Sequence, residues 1–349
     1  MKDYGTFNAG VVGNGMGGGV GIARFSDAKS VRRVNDSAIA SGCSFLVAEL
    51  EKRELDIKQP LTSVTYTRDV PIKVGGGWVE FVTALNIDYG VTGGAVDGAV
   101  AAAGANGSPI VQMNLEKDKF GAHLFSTILR VPFVDMQRSQ VPGRSLDALL
   151  SDGIRLVYDK HMDANAYIGL AKYGTHGLLN DPDVTVVSAS TGAQSSTAWS
   201  AKTPDEILAD INGAIVAVWA AGGYDLSALP NHILIPHAQY NVIATTKVSQ
   251  YADKTILEFL LDNNLAKRNG GNLVIAGCPF CAGAGAGGAD RMAVYCHNER
   301  FIAMEELVPL HRAMTQPNVS ELAYDSVYMA NVSELEMFYK QTIRYVDGI

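Results

Sequence analysis

The chain has 349 residues, 47 % of them hydrophobic and 18 % charged, with a formal net charge of −8. That charged fraction falls below the roughly 25 % of an average soluble domain, which implies that part of the surface is buried against other chains. Basic residues occur only as the scattered pairs Arg32-Arg33, Lys52-Arg53 and Lys267-Arg268, so the clustered cations that release counterions from a phosphate backbone are missing and sequence-specific nucleic-acid binding is not expected.

In chain order, residues 1–36 have weak periodicity and read as an extended arm, with a Gly-rich stretch from Gly13 to Gly21 that cannot bury a core of its own. A helix is expected from Asp36 to Leu55, with Leu46, Leu50 and Leu55 at helical spacing. From Val64 the pattern alternates, and Val64 to Val74 and Trp78 to Tyr89 read as strands. Gly90 to Leu115 carries Asp97 as its single charge, and Phe120 to Asp135 returns to strand character. Two strand-rich segments around a long run of small uncharged residues predict a β-hairpin projecting from a body. Loops of that length are usually functional or bound to a partner.

A long helix follows. Pro142-Gly143 breaks the preceding strand and Ser145 can cap; Leu146, Leu150, Ile154, Val157, Ala164, Ile168 and Ala171 form one apolar stripe that Gly174 ends. Residues 175–300 read as a separate α/β unit. Thr203-Pro204-Asp205-Glu206 is a capping box that opens a helix to Gly222-Gly223. His232 to Pro236 is a short buried strand, helices are expected near 237–246 and 254–263, and Leu273 to Ile275 and Arg291 to Tyr295 give two more strands. In the last fifty residues the best strands are Phe301 to Leu310 and Tyr324 to Val332.

Motifs with chemical potential each have a plainer explanation. Gly13-Asn14-Gly15-Met16-Gly17-Gly18 matches a dinucleotide fingerprint, but the strand before it is short and no helix signal follows, so a cofactor is not expected. Cys278-Pro279-Phe280-Cys281 has redox spacing, and Cys296 with His297 completes a zinc-type ligand set. The second cysteine runs into a Gly/Ala repeat that starts no helix, and Cys296 lacks a paired spacing, so buried thiols are the default reading. His123, His161, His176, His232, His237, His297 and His311 are scattered, and Asp181-Pro182-Asp183 reads as a turn. No acid–base or nucleophile constellation can be assembled, so no catalytic, cofactor or metal residue is assigned and an enzyme is not expected. Four separated cysteines fit a reducing compartment. The N-terminus shows no secretory pattern, and the uncharged run Asn269 to Ala289 is broken by glycines and a proline, so a soluble chain is expected.

The succession of arm, helix, strand, Gly/Ala hairpin, strand, long helix, α/β unit and strand-rich end resembles the Hong Kong 97-type major capsid fold of tailed bacteriophages, an α+β fold. More locally, over nearly everything after residue 60, the chain is similar to one such capsid family of initially unassigned function, through the segment from Tyr66 onward, Val131-Pro132-Phe133-Val134-Asp135, Gly177-Leu178-Leu179-Asn180-Asp181-Pro182, Leu229-Pro230-Asn231-His232 and Tyr345-Val346-Asp347-Gly348-Ile349. It implies an N-terminal arm and helix over 1–60 and a P-domain over 61–179, with an E-loop near 75–122 and a spine helix over 145–174. An A-domain over 180–300 and returning P-domain strands with a C-terminal segment over 301–349 complete the implied layout. It also implies a shell of hexamers and pentamers enclosing double-stranded DNA, assembled in the host cytoplasm, with scaffolding and portal proteins and room for a decoration protein. Some relatives lock their shells through a Lys–Asn isopeptide bond from the E-loop. Here no Lys lies between Lys73 and Lys117, so a cross-link from the loop tip is not expected and shell stability is expected to be noncovalent. The short arm leaves little room for a fused scaffolding domain, so a separate scaffold or a start at Met1 without proteolysis is expected. An encapsulin-like compartment shell, or a thiol or zinc enzyme built on Cys278, Cys281, Cys296 and His297, are the alternative readings.

Overall fold

The computed structural model describes residues 63–92, 110–140, 146–249 and 253–349. The expected arm, the helix over 36–55, the glycine motif at 13–18 and the tip of the projecting loop lie outside those residues. Residues Val64–Ile349 form one compact unit.

A short helical turn α1 (Tyr66–Asp69) and strand β1 (Ile72–Val74) lead into β2 (Phe81–Thr92). The alternation at 64–70 had predicted a strand. It forms a helical turn instead because the Asp163 carboxylate accepts the backbone N–H groups of Thr65 (3.0 Å) and Tyr66 (2.8 Å), a tertiary contact that no local pattern encodes. Strand β3 (Ile110–Pro132) is continuous, and helix α2 (Phe133–Gln140) follows where the reading had carried the strand on to Asp135. β3 changes partner midway: Phe81 to Thr92 pair with Gly121 to Ile110, whereas Ala122 to Pro132 pair with Ser333 to Ala323 of β9 (Ala323–Ser333). Two strands therefore run on beyond the sheet as the expected hairpin, and their pairing extends into the stretch read as loop.

Helix α3 (Leu146–Tyr167) has 22 residues, about 33 Å at the standard rise. It stops before the expected Gly174, because Gly169 adopts φ +77° and the chain turns back under the helix end. Leu178 and Leu179 donate their N–H groups to the carbonyls of Ala166 (2.9 Å) and Tyr167 (3.1 Å), and Asn180 Nδ2 donates to Ile168 (2.7 Å). The Gly-Leu-Leu-Asn segment is thus the cap of the spine helix. A Cβ on Gly177 would collide with the backbone of Tyr167 and Ile168, so Gly177→Ala is expected to destabilise the subunit by about 2–3 kcal/mol, read as a lower urea midpoint.

Beyond the cap come β4 (Thr185–Ser188), α4 (Pro204–Ala221), β5 (His232–Ile235), α5 (His237–Thr245), α6 (Ile256–Asp262), α7 (Leu265–Arg268), β6 (Val274–Gly277) and β7 (Arg291–Tyr295). The capping box of α4 forms as predicted: Thr203 donates its N–H to Glu206 Oε2 at 2.8 Å. A second one, Thr255 with Glu258, starts α6 and had been passed over. Strands β8 (Ile302–Asn318), β9, β10 (Glu336–Met337) and β11 (Ile343–Asp347) complete the chain.

Two sheets result. One has the order β1-β8-β9-β3-β2 with β10 on β8; the other is β4-β11-β7-β5-β6. The last strand, β11, joins the second sheet, parallel to β4 and antiparallel to β7. One core gathers Tyr158, Met162 and Tyr167 of α3 with Ile302, Met304 and Tyr295; a second packs Ile207, Ile211 and Ile215 of α4 onto Ile233, Ile235 and Met292. The mixture of helices with these two sheets is the expected α+β class.

Candidate assembly surface

The β2–β3 hairpin has two unlike faces. Because opposed residues of an antiparallel pair share a face, the register Leu85↔Lys117, Ile87↔Leu115 and Tyr89↔Met113 places Leu85, Ile87, Tyr89, Met113 and Leu115 together, with Lys117 at the root end of the row. Each apolar member is at least 50 % exposed, and Phe81 continues the row toward the root. The opposite face carries Asn86, Glu116 and Asp118, with Asn86 hydrogen-bonded to Asp118. A ribbon with an apolar face turned to solvent is marginal by itself and marks a contact surface.

The root of the hairpin is fastened by polar contacts. Asn331 Nδ2 donates to the carbonyls of Gly77 (3.3 Å) and Val79 (3.0 Å). Gly121 N–H donates to Glu334 Oε1 (2.7 Å) at the point where β3 changes partner. Gly75, Gly76 and Gly77 all have positive φ there, a backbone that side-chain-bearing residues resist.

A second bare surface lies on the first sheet. Phe125 faces Tyr158 and His161 of α3, with ring centroids 5.3 and 5.1 Å away, so the alternate residues Leu124 and Ile128 point to the other side. Ile128, Val327 and Met314 form one row across β3, β9 and β8; Leu124, Ile128 and Met314 are more than half exposed.

Inside the molecule, polar centres tie the elements together, and sequence reasoning found none of them. Asp69, fully buried, accepts the Tyr167 hydroxyl and two guanidinium N–H groups of Arg68 (2.6 and 2.8 Å). His232 Nε2 stands 3.6 Å away, longer than a hydrogen bond. Burial alone would raise the Asp69 pKa; the hydrogen bonds outweigh it and hold the carboxyl below its ordinary range. Lys202 and Asp210 form another buried ion pair under Trp199, whose indole N–H donates to Asp210 at 3.2 Å.

Glu336 on β10 is buried, with Oε1 unpartnered. Burial, aided by the charge of Glu305, pushes its pKa up from 4.5 to about 7. The folded state therefore holds a proton that the unfolded chain releases above pH 4.5, and stability is lost as pH rises from there through 7. Glu336→Gln should gain on the order of 3 kcal/mol over the parent at pH 8 and nothing at pH 4.5. Urea titrations at both pH values check this.

The sequence candidates are dispersed. Cys278 and Cys281 face one another across a turn, but Cys296 Sγ turns to the Ser227 carbonyl (3.3 Å), and His297 stacks on His232 at 4.7 Å while its N–H donates to Asn231 Oδ1 (2.6 Å). Among the described residues no three His, Cys, Asp or Glu side chains converge in a group that could hold a metal ion. Asp181 and Asp183 do form a turn, in which Asp183 N–H donates to Asp181 Oδ1 (2.8 Å) and Lys340 Nζ reaches both carboxylates. Among the described residues no helix is long and apolar enough to cross a membrane.

Comparison with known proteins agrees with this architecture. A family model described as major capsid protein matches residues 98–349. Among solved structures, the capsid of Myoviridae phage XM1 superposes with a TM-score of 0.72 at 16 % identity, covering 86 % of this chain and 98 % of that one. A chain of Microbacterium phage Oxtober96 gives 0.57 at 14 % identity over 87 % and 97 %, and the capsid of an empty GTA particle gives 0.57 at 13 % over 89 % and 98 %. No curated protein matches. With the family model spanning most of the chain and the fold shared along nearly its full length, this capsid shell protein belongs to the major capsid protein family and carries the Hong Kong 97-type fold.

Proposed function

We propose that the chain builds the icosahedral head of a tailed bacteriophage as hexamers and pentamers that enclose double-stranded DNA. The observation that carries this reading is the exposed apolar face of the β2–β3 hairpin, which gains most by lying across a neighbouring copy. Each such contact can be weak, because a closed shell repeats it in every subunit and multivalency supplies the strength. In this reading 61–179 with the returning strands β8, β9 and β10 is the P-domain, 75–122 the E-loop and 180–300 the A-domain, whose sheet the final strand β11 joins. The bare row of Leu124, Ile128, Val327 and Met314 is a second surface for shell contacts. Assembly takes place in the host cytoplasm with separate scaffolding and portal proteins, the finished particle is the virion, and a decoration protein can be added. The subunit works by position and performs no catalysis.

Electron microscopy of the expressed chain, with and without its scaffold, tests the reading. Closed particles filled with DNA in infected cells are the expected result; particles filled with a cargo enzyme would instead favour a protein compartment. Because no lysine lies between Lys73 and Lys117, mature particles boiled in detergent should run as a single monomer band. A ladder of covalent multimers would refute the noncovalent lock.

A further inference from the structure

Cys278 follows β6, and Pro279–Cys281 form one 3-10 turn closed by Cys281 N–H donating to the Cys278 carbonyl at 3.4 Å. The Cα atoms of residues i and i+3 of such a turn lie under roughly 7 Å apart. That overlaps the roughly 4.4–6.8 Å span of a disulfide. Both thiols are buried, and their chain neighbours Pro279 and Ala282 are exposed. Phe280, half-buried, stacks on Tyr167 at 5.0 Å, and the exposed Gly-rich segment 282–288 follows directly. Opening that segment releases the Gly283–Asp290 and Ala286–Asp347 hydrogen bonds but breaks no strand pairing of either sheet.

We propose that Cys278 and Cys281 form a reversible dithiol–disulfide site, oxidised by a small-molecule disulfide of the glutathione class. Cys278 is the attacking sulfur. The neighbouring Cys281 thiol and the N–H groups of the turn lower its pKa despite burial and the nearby Asp69 charge. Cys281, by contrast, is raised. The Cys278 thiolate attacks one sulfur of the oxidant and expels a thiolate. Cys281 then loses its proton to that thiolate and attacks Cys278 Sγ, expelling a second thiolate that takes up the proton Cys278 released to solvent. Two protein thiols lose two electrons and two protons in total, and one oxidant disulfide becomes two thiols. The product fixes the turn beneath Phe280 and so holds that ring on Tyr167 at the end of the spine helix. Under the proposed function, the site would be reduced during assembly in the cell and would close after the particle leaves it. The chemistry itself does not depend on shell formation.

The test uses the full chain, purified reduced and dissociated, so that a failure to form shells leaves the result readable. It is exposed to glutathione disulfide, quenched by acid, unfolded, alkylated and mapped by mass. The expected result is loss of both alkylation sites at Cys278 and Cys281 with loss of two hydrogen masses from their shared peptide, while Cys296 stays a thiol and dithiothreitol reverses the change. Cys281→Ser should trap a glutathione adduct on Cys278, and Cys278→Ser should leave Cys281 unmodified. The proposal is overturned if both thiols stay alkylatable under conditions that oxidise the urea-unfolded chain, or if Cys296 reacts before them. The wild-type map alone decides this if a variant fails to fold.

Discussion

Ile87→Glu should abolish particle formation while leaving the subunit folded. Ile87 sits opposite Leu115 and between Leu85 and Tyr89 on the apolar face of the hairpin, half exposed, so in a lone subunit a carboxylate there stays in water. Surface changes of that kind usually lie within about 0.5 kcal/mol. Under a covering neighbour the same carboxylate loses its hydration, and Lys117, its diagonal neighbour opposite Leu85, offsets only part of a cost of several kcal/mol. A loss of about 3 kcal/mol in one contact is already roughly a hundredfold in affinity, and a closed shell repeats the contact in every subunit. Glu116→Gln, on the opposite face of the same ribbon, should assemble at close to the wild-type critical concentration. Light scattering against protein concentration, with circular dichroism to check folding, measures both. Wild-type assembly by Ile87→Glu would sink the idea that this face is covered.

The hairpin was legible because its signals are local: β-branched and aromatic residues in β2 and β3, and a run of small residues between them. The helix after Thr203 was legible for the same reason, since a capping box and an N1 proline act within four residues. What the sequence hid was set by distant partners. Tyr66–Asp69 alternates like a strand, yet Asp163, about a hundred residues away, captures its amides and winds it into a turn. The stripe through Ile168 and Ala171 predicted a longer spine helix, and the returning Gly177–Asn180 segment ended it. Gly-Leu-Leu-Asn helped carry the family resemblance with no physical reason attached, and its role as that cap supplies one. The assembly surface was half visible. Its loop could be read, but which face was apolar depended on the register between Ile87 and Leu115, which spacing alone does not fix. The charged centres at Asp69, Lys202 and Glu336 gave no signal, since a buried carboxylate and a solvated one are the same letter.

Asp347→Ala should cost about 3–5 kcal/mol, the loss expected when one partner of a buried ion pair is removed. Arg291 and Asp347 face one another across β7 and β11, both nearly buried, in a bidentate pair of 2.7 and 2.9 Å. The third guanidinium nitrogen donates to the Leu179 carbonyl at 2.6 Å, and the Tyr345 ring lies 4.5 Å from the guanidinium carbon. Asp347 also accepts the Ala286 N–H at 3.0 Å, so one carboxylate joins the final strand, the segment capping α3 and the Gly-rich loop behind Cys281. Removing it strands a cation in a site that cannot hydrate it. Removing both charges is a different experiment: Arg291→Leu with Asp347→Leu leaves no buried ion, only the Leu179 carbonyl and the Ala286 amide unpaired, at about 1–3 kcal/mol for the unsatisfied groups. The double variant should therefore be more stable than Asp347→Leu alone, a sign that additive contributions cannot produce. The pH dependence gives a second reading. Burial opposes ionisation of Asp347, but Arg291 and the Ala286 amide outweigh it and hold the pKa below the ordinary carboxylate value. The pair's contribution is thus complete above about pH 4 and fades as pH falls through that depressed pKa. The deficit of Asp347→Ala should shrink in the same window, and an undiminished deficit in strong acid would show that the carboxylate acts through packing and not through its charge.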